Sequence, residues 1–265
     1  MRIIVCVKQV PDTQKVQVDP VTGVLIRNGI DTKMNPYDLY ALETALRIKE
    51  KTDAEIHVIS MGPDAAKAVL VESMAMGADE AWLLSDRRFA GADVLATSFT
   101  LAQGIKAIGD VDLILCGKQT TDGDTAQVGP AIGEVLNMPH VSWVRKLIDA
   151  YDKGLVVQQE MMDSVADVRL NYPCLLTVEK GIFEPGLPSY LKMKEARKKE
   201  IHVLNLDKCE CKDTKRYGLS GSPTQVEKIF EPVYDLQSVR LEGSTEDNAK
   251  ALFDKLVELK VAGGK

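Results

Sequence analysis

The chain has 265 residues, a formal net charge of −6 and an apolar fraction of 45%. An acidic balance argues against general nucleic-acid binding, which usually depends on a basic surface. No stretch approaches the roughly 18 apolar residues of a membrane helix, so we expect no membrane partner. The first apolar run, MRIIVCVKQVP, is interrupted by Lys8 and favours a first strand over a secretory signal.

The cysteines and histidines indicate the compartment and argue against a metal site. An odd number of cysteines argues against a disulfide framework, and such usage is typical of a reduced, cytoplasmic protein. The five are Cys6, Cys116, Cys174, Cys209 and Cys211. The last two form a lone C-x-C, and the three histidines are scattered without metal-ligand spacing. We therefore predict a cytoplasmic protein without a metal.

The first 145 residues alternate between apolar runs and helical patterns. Four runs rich in β-branched residues have the pattern of parallel strands covered on both faces. They occupy residues 2–9, 55–62, 80–85 and 111–117. Helical patterns lie at 36–51, 63–76, about 92–108 and near 125–137. The alternation predicts an α/β fold with a doubly wound, mostly parallel sheet.

The helix at 36–51 has a clear start signal. Asn35 is predicted as its N-cap, Pro36 suits the first helical position, and Asp38 follows at the third. This start, MNPYD, could face the crevice that we expect outside the carboxyl ends of the strands.

The pattern changes near residue 145. Antiparallel or edge strands are predicted for GLVVQQEM and DVRLNYPCLLTVE, and a further strand is predicted for EIHVLNL. Residues 181–200 predict an irregular excursion, and 244–260 an amphipathic helix capped by Ser244 or Thr245. From 212 the composition is turn-rich and predicts an extended arm with little core of its own. We therefore divide the chain into an α/β domain, 1–210, and a C-terminal arm, 211–265.

The segment GKQTTDGDTAQVGP, residues 117–130, joins the fourth apolar run to the fourth helical pattern. It is not a P-loop, because Gln119 stands where Ser or Thr should follow Gly-Lys, and no G-x-G-x-x-G follows the first strand. Its glycines still allow close backbone approach, and a helix starting near Thr125 would offer free amides to an anion. Asp122 and Asp124 would repel a phosphate, so we expect them to cap the helix or accept from ribose hydroxyls. From spacing alone, a nucleotide site and a simple polar loop both remain open.

Two further motifs bear on function. The basic run KMKEARKK at 192–199 indicates either a solvated helix face or a docking surface for an acidic partner. GLSGS at 218–222 misses the G-x-S-x-G of hydrolases because Ser222 takes the place of the last glycine. Hydrolytic catalysis therefore has little support.

Three segments together, VCVKQVPD, NPYDLYALETAL and GKQTTDGDTAQVGP, resemble the β subunit of electron transfer flavoprotein in their order and spacing. The resemblance runs essentially end to end. It implies a doubly wound domain of the adenine nucleotide α-hydrolase type, paired with an α subunit that carries one FAD. In that family the crevice of the β subunit holds AMP or a second FAD.

Carried over residue by residue, the resemblance implies nucleotide contacts at the ends of two strands, at the start of one helix and along the loop. They are Cys6, Asn35, Pro36, Tyr37, Asp38, Met61, Gly117, Lys118, Gln119, Thr120, Thr121, Asp122, Gly123, Asp124, Thr125, Ala126, Gln127 and Val128. Further candidates for the flavin or NAD face are Phe89, Gly91, Ala92 and Asp93. Leu187 and Pro188 would dock a partner dehydrogenase, and the arm would contact the α subunit. The resemblance implies no catalytic side chain.

DGDTAQVGP and SDRRFAGADVLATS (85–98) resemble the electron-bifurcating branch, which binds FAD and NAD in this subunit. That branch implies a redox subunit, not an enzyme alone, that accepts hydride from NADH. Electrons would bifurcate to ferredoxin and to the α-subunit FAD, which passes them to a dehydrogenase of acyl-CoA or lactate type. The flow could also run in reverse. The chain departs from the branch at Val94, where threonine is usual, and at Lys118, which keeps the charge of an arginine but loses its planar fork.

Two alternatives remain. One is a non-bifurcating electron carrier with structural AMP in this subunit. The other is a stand-alone nucleotide-binding stress-type protein without a redox role, against which the long arm argues.

Overall fold

A computed structural model describes residues 1–12, 31–227 and 238–262. Contacts between Cα atoms divide the chain into two compact units, Met1–Lys228 and Ile229–Lys265. Two parts of the predicted arm, 228–237 and 263–265, lie outside the described residues. Among the helices of the described ranges, none is long and apolar enough to cross a membrane.

A nine-stranded sheet forms the centre of the first unit. The described strands are β1 (Arg2–Cys6), β2 (Gln9–Pro11), β3 (Thr32–Met34), β4 (Glu55–Met61), β5 (Glu80–Leu84), β6 (Leu113–Gly117), β7 (His140–Tyr151), β8 (Gly154–Glu160), β9 (Val165–Asn171), β10 (Cys174–Val178) and β11 (His202–Leu204). Their order in the sheet is β11-β5-β4-β1-β6-β10-β7-β8-β9, and β2 pairs with β3 separately. All neighbours from β11 to β7 are parallel, whereas β8 and β9 extend the sheet with antiparallel pairing.

Helices cover the sheet on both faces. The described helices of this unit are α1 (Pro36–Lys49), α2 (Lys67–Met76), α3 (Val94–Ile108), α4 (Val128–Leu136) and α5 (Tyr190–Ala196). Because successive side chains of a strand point to opposite faces, each face has its own apolar core. Ile3 and Val5 of β1 lie in one core with α1 and α2, and Ile4 lies in the other with α3 and α4. The predicted doubly wound α/β fold is confirmed.

The direction of winding reverses between β1 and β6. From β1 the chain passes through α1 to β4 on one side, whereas from β6 it passes through α4 to β7 on the other. The carboxyl ends of β1 and β6 therefore border a crevice, which is where doubly wound proteins bind their ligands. The start of α1 and the loop before α4 both reach this crevice.

The second half of the sheet differs in part from the prediction. The assignment of residues 174–178 to an antiparallel or edge strand was wrong, because β10 is buried inside the sheet and parallel to β6 and β7. The antiparallel pairing of β8 and β9, and the strand β11, are confirmed. We did not predict β7, whose residues mix apolar and charged types without regular alternation.

Residues 212–222 also differ from the prediction, because they have a core. Tyr217 is 1% exposed, and its ring centroid lies 5.4 Å from that of Phe89 and 5.2 Å from that of Phe99. Its hydroxyl donates to the carbonyl oxygen of Cys211 at 2.6 Å. The expectation of little core was wrong for this segment, which packs within the first unit. The contact of 211–265 with the α subunit remains a prediction.

The second unit contains α6 (Thr245–Glu258). The Ser244 hydroxyl oxygen accepts the N–H of Asp247 at 3.2 Å and caps the helix. The predicted helix and its serine cap are confirmed. Leu252, Phe253 and Val257 on this helix are exposed.

Candidate nucleotide-binding site

The floor of the crevice is formed by the ends of β1 and β6. Cys6 and Cys116 are register partners on these adjacent strands, and both are free thiols. The neighbouring Cys6 thiol and burial raise the pKa of Cys116. Cys116 is therefore a neutral thiol at physiological pH and packs as a small apolar side chain.

Gly117 allows β6 to approach the first helix closely. A Cβ atom here would lie 2.5 Å from Oδ1 of Asp38 and 2.6 Å from the carbonyl carbon of Tyr37. Non-bonded carbon atoms prefer about 3.5–4.0 Å, so a side chain at this position would displace α1. Glycine thus brings the loop and the start of α1, beginning at Pro36, to the same place.

Asn35 joins the start of α1 to the loop. Its side-chain amide donates to Oδ1 of Asp38 and to the carbonyl oxygen of Gln119, both at 2.9 Å. Its side-chain oxygen accepts the N–H of Thr121 at 3.3 Å, and the residue is fully buried. The predicted capping role was wrong: Asn35 occupies the N-cap position, but in the described structure its side chain makes no bond to the helix amides.

Asp38 is a buried carboxyl group at the crevice floor, 5% exposed. Its Oδ2 accepts the backbone N–H of Lys8 at 2.8 Å. Burial raises the pKa of Asp38 to about 7, against the hydrogen bonds from Asn35 and Lys8, which favour the ionised form. The charge at this position therefore changes near neutral pH.

The loop after β6 has a left-handed backbone at two positions, which delays the next helix. Asp124 and Ala126 have φ of 52° and 55°, and α4 begins only at Val128. The predicted start near Thr125 was therefore too early. Gln127 is at the N-cap of α4, and within the described part of the chain no side chain accepts from its first amides. Such amides bind anions readily.

The two aspartates of the loop have partners other than the helix. Both carboxylate oxygens of Asp122 lie 2.8 Å from Nζ of Lys8. The carboxylate of Asp124 accepts from the side-chain amide of Gln119, and its backbone N–H donates to the carbonyl oxygen of Thr120 at 2.9 Å. The capping alternative for these residues was wrong, and acceptance from ribose hydroxyls remains a prediction.

Three side chains, Lys118, Trp143 and Glu179, form what we call the rim cluster, next to the crevice. Nζ of Lys118 lies 2.6 Å from Oε1 of Glu179 and 4.5 Å from the centre of the Trp143 indole. Lys8 and Lys118 are thus each paired with a carboxylate. Anion binding in this crevice would depend on amides more than on unpaired cations.

The remaining predicted contacts lie along the same edge of the sheet. Met61 ends β4, next to β1. Phe89 is buried against Tyr217, and Gly91 has a left-handed φ of 72° and precedes Ala92. Asp93 caps α3 by accepting the N–H of Ala96 at 3.1 Å. Its other oxygen accepts the hydroxyl of Thr224 at 2.8 Å. The segment from Phe89 to Asp93 therefore lines the crevice after β5, and the side chains of Phe89 and Asp93 already contact other parts of the protein.

The predicted docking residues lie in the excursion after β10. Leu187 is 97% exposed and is followed by Pro188 and the short helix α5. The preceding Gly186 donates its N–H to Oε2 of Glu43 at 3.1 Å. Glu43 is buried on α1 and also pairs with Arg47 at 2.9 Å. The exposed leucine thus follows a backbone position fixed to α1.

Sequence reasoning did not find several residues of this region. Lys8 was detectable, because it directly follows the first strand. Trp143 and Glu179 come from β7 and the end of β10. The sequence pattern did not predict that β10 lies beside β6 or that β7 lies next to β10. Their contribution could be found only from the sheet order.

The fold and the crevice define a doubly wound α/β domain of the class that binds ligands at its switch point. Residues 22–208 match the family model described as the electron transfer flavoprotein domain. The electron transfer flavoprotein subunit beta of Megasphaera elsdenii is 45% identical over 270 residues, covering 99% of this chain and 98% of the relative.

Two more relatives show the same likeness. The caffeyl-CoA reductase-Etf complex subunit CarD of Acetobacterium woodii is 45% identical over 260 residues, covering 97% of this chain and 98% of the relative. Protein FixA of Sinorhizobium fredii is 40% identical over 238 residues, covering 88% and 84%. The chain belongs to the electron transfer flavoprotein β-subunit family, whose members pair with an α subunit and bind flavin or AMP.

Proposed function

We propose that this chain is the β subunit of an electron-bifurcating electron transfer flavoprotein and holds FAD in the crevice between β1 and β6. The complex would oxidise NADH and deliver electrons to ferredoxin and to the α-subunit FAD with its dehydrogenase, or run in reverse. FAD, when bound, would supply hydride exchange with NADH and one-electron transfer to both acceptors. We place the complex in the cytoplasm, as the free cysteines suggest.

One observation carries the nucleotide site of this proposal: the uncapped first turn of α4 lies beside the loop that Asn35 fixes to α1. The amides at the start of α4 would bind the phosphates, and Gly117 allows the backbone to approach the ligand. Asn35 positions the loop through the carbonyl of Gln119 and the N–H of Thr121. The chain's own role is to bind and orient the nucleotide and to exclude water from it.

The assignment to the bifurcating branch is supported by the segments 85–98 and 122–130, which resemble that branch. The name of the CarD relative links that protein to a caffeyl-CoA reductase. This supports an acyl-CoA-type dehydrogenase as the partner that Leu187 and Pro188 would dock. A lactate-type dehydrogenase is the alternative partner.

The alternative is a carrier in which AMP occupies the crevice and only stabilises the fold. One observation favours it: the ring of Phe89, a candidate for the flavin or NAD face, is buried against Tyr217. Phosphate binding at α4 would serve AMP and FAD equally well.

Nucleotide content separates the two functions. The purified αβ complex should release two FAD per heterodimer and no AMP, and it should oxidise NADH when ferredoxin and a dehydrogenase are present. Asn35→Ala should lose the β-subunit nucleotide and keep the α-subunit FAD, because the loop loses its link to α1. Asn171→Ala, at an exposed asparagine ending β9, is the matched control and should keep both. One FAD with one AMP, together with inertness toward NADH, would refute the proposal.

A further inference from the structure

Trp143 has a backbone conformation that bulky residues rarely adopt. Its φ is 61°, in the left-handed region, which costs free energy that the surrounding contacts must offset. The register between β7 and β10 shifts between Leu176 and Val178, at the level of this residue. The strand therefore bulges here and directs the indole away from the regular pleat. Strain of this kind is concentrated at binding sites.

The bulge is fixed to the first turn of α4. The N–H of Trp143 donates to Oγ1 of Thr177 at 3.0 Å, and Thr177 is buried. The methyl group of Thr177 packs against α4, since a Cβ on Gly129 would lie 2.4 Å from it. Trp143 is thus held in place relative to the amides that would bind the phosphates.

The indole itself remains accessible. Trp143 as a residue is 39% exposed, although tryptophan is among the side chains that gain most from burial. Lys118, which directly follows Gly117 in the crevice loop, lies over the ring, and Glu179 fixes the lysine. The rim cluster therefore presents a positioned aromatic surface next to the crevice.

We infer that the indole of Trp143 stacks on the isoalloxazine ring of FAD. The inference rests on the proposed function. With the pyrophosphate at α4 and the adenosine on the side of Asn35 and Asp38, the second half of a dinucleotide extends to the opposite side of the loop. That side is where the rim cluster lies. AMP lacks the second half, so Trp143 distinguishes FAD from AMP.

Calorimetric titration of the intact αβ heterodimer tests this inference. The β-subunit nucleotide is removed while the α-subunit FAD is retained, and FAD and AMP are then titrated separately. Trp143→Leu should weaken FAD binding about tenfold, equal to about 1.4 kcal/mol and within the range measured for base–aromatic stacking. Trp143→Phe keeps a ring and should weaken it less than about threefold. Both variants should bind AMP like the wild type, which also shows that they are folded.

Trp82→Phe is the matched control, because Trp82 lies within β5 and packs against His202, with ring centroids 4.4 Å apart. It should bind both ligands like the wild type. Equal FAD binding by the wild type and Trp143→Leu would overturn the inference alone. An equal loss of FAD and AMP would also overturn it, since it would indicate a purely structural role. A wild type that binds AMP but not FAD would overturn the inference and the proposed function together.

Discussion

Gly117→Ala tests the closest approach in the crevice. A Cβ at this position would lie 2.5 Å from Oδ1 of Asp38, 2.6 Å from the carbonyl carbon of Tyr37 and 2.7 Å from its Cβ. Two of these atoms belong to α1 near its backbone, and the third is fixed by the bond from Asn35. None of the three can yield by a simple side-chain rotation.

The size of the effect follows from these contacts. Overpacking of a filled interior costs about 1–3 kcal/mol, and turning Asp38 away would break a hydrogen bond worth about 1 kcal/mol. Alanine reduces the entropy of the unfolded chain, which returns about 0.4–1 kcal/mol. We therefore expect a net loss of about 2 kcal/mol.

Gly123→Ala is the matched control in the same loop. Its Cβ would meet only the Thr120 hydroxyl oxygen, at 3.4 Å. The entropy gain is then unopposed, and the free energy of unfolding should not fall and should rise by at most about 1 kcal/mol. Hydrogen exchange of the β1 and β6 amides in the αβ complex measures both variants as free energies of opening. Equal effects of the two substitutions would refute the argument that α1 is tightly packed on Gly117.

Three further predictions concern other described contacts. Burial raises the pKa of Asp38 from 3.8 to about 7, so the wild type should lose stability as pH rises from about 4 to about 7. Asp38→Asn should flatten this profile in urea unfolding at pH 5 and pH 8. Glu43→Ala should speed hydrogen exchange of the Gly186 amide about tenfold, because it removes the acceptor of that amide. Glu50→Gln is the control: it alters the exposed second partner of Arg47 and should leave this exchange rate unchanged. Tyr217→Phe should cost about 1 kcal/mol for one hydrogen bond, and Tyr217→Ala about 3–5 kcal/mol for the lost ring, both measured by hydrogen exchange of α3.

Each of these expectations has an outcome that contradicts it. A wild-type profile as flat as that of Asp38→Asn would mean that the carboxyl group titrates alike in the folded and unfolded chain. Unchanged exchange at Gly186 in Glu43→Ala would show that the excursion does not depend on α1. Equal losses for the two Tyr217 variants would place the stabilisation in the hydroxyl group and not in the ring.

The parallel half of the fold could be predicted because its strands are buried on both faces. Continuous apolar runs such as VDLILCG allow few other structures, and Asn35-Pro36 marks the start of α1. The order of the strands could not be read in this way. β10 lies between β6 and β7 although it follows them in the chain, and local patterns contain no information on such long-range pairing.

The location of the candidate site at the strand ends could be predicted, and the side-chain contacts there less so. Strand ends of a parallel sheet meet at one edge, which placed Cys6, Met61 and Gly117 correctly together. Side-chain roles depended on geometry that spacing does not give. Asn35 bonds across to the loop instead of capping α1, and the left-handed residues Asp124 and Ala126 moved the start of α4.

The two ion pairs beside the crevice, Lys8–Asp122 and Lys118–Glu179, also determine how a ligand would respond to salt. Because each ammonium group is already neutralised, a phosphate at α4 would meet oriented dipoles in place of net positive charge. Mobile ions weaken attraction between separated charges far more than short hydrogen bonds. Nucleotide retention should therefore change little between dilute buffer and high ionic strength, which would allow purification in concentrated salt without stripping the β subunit.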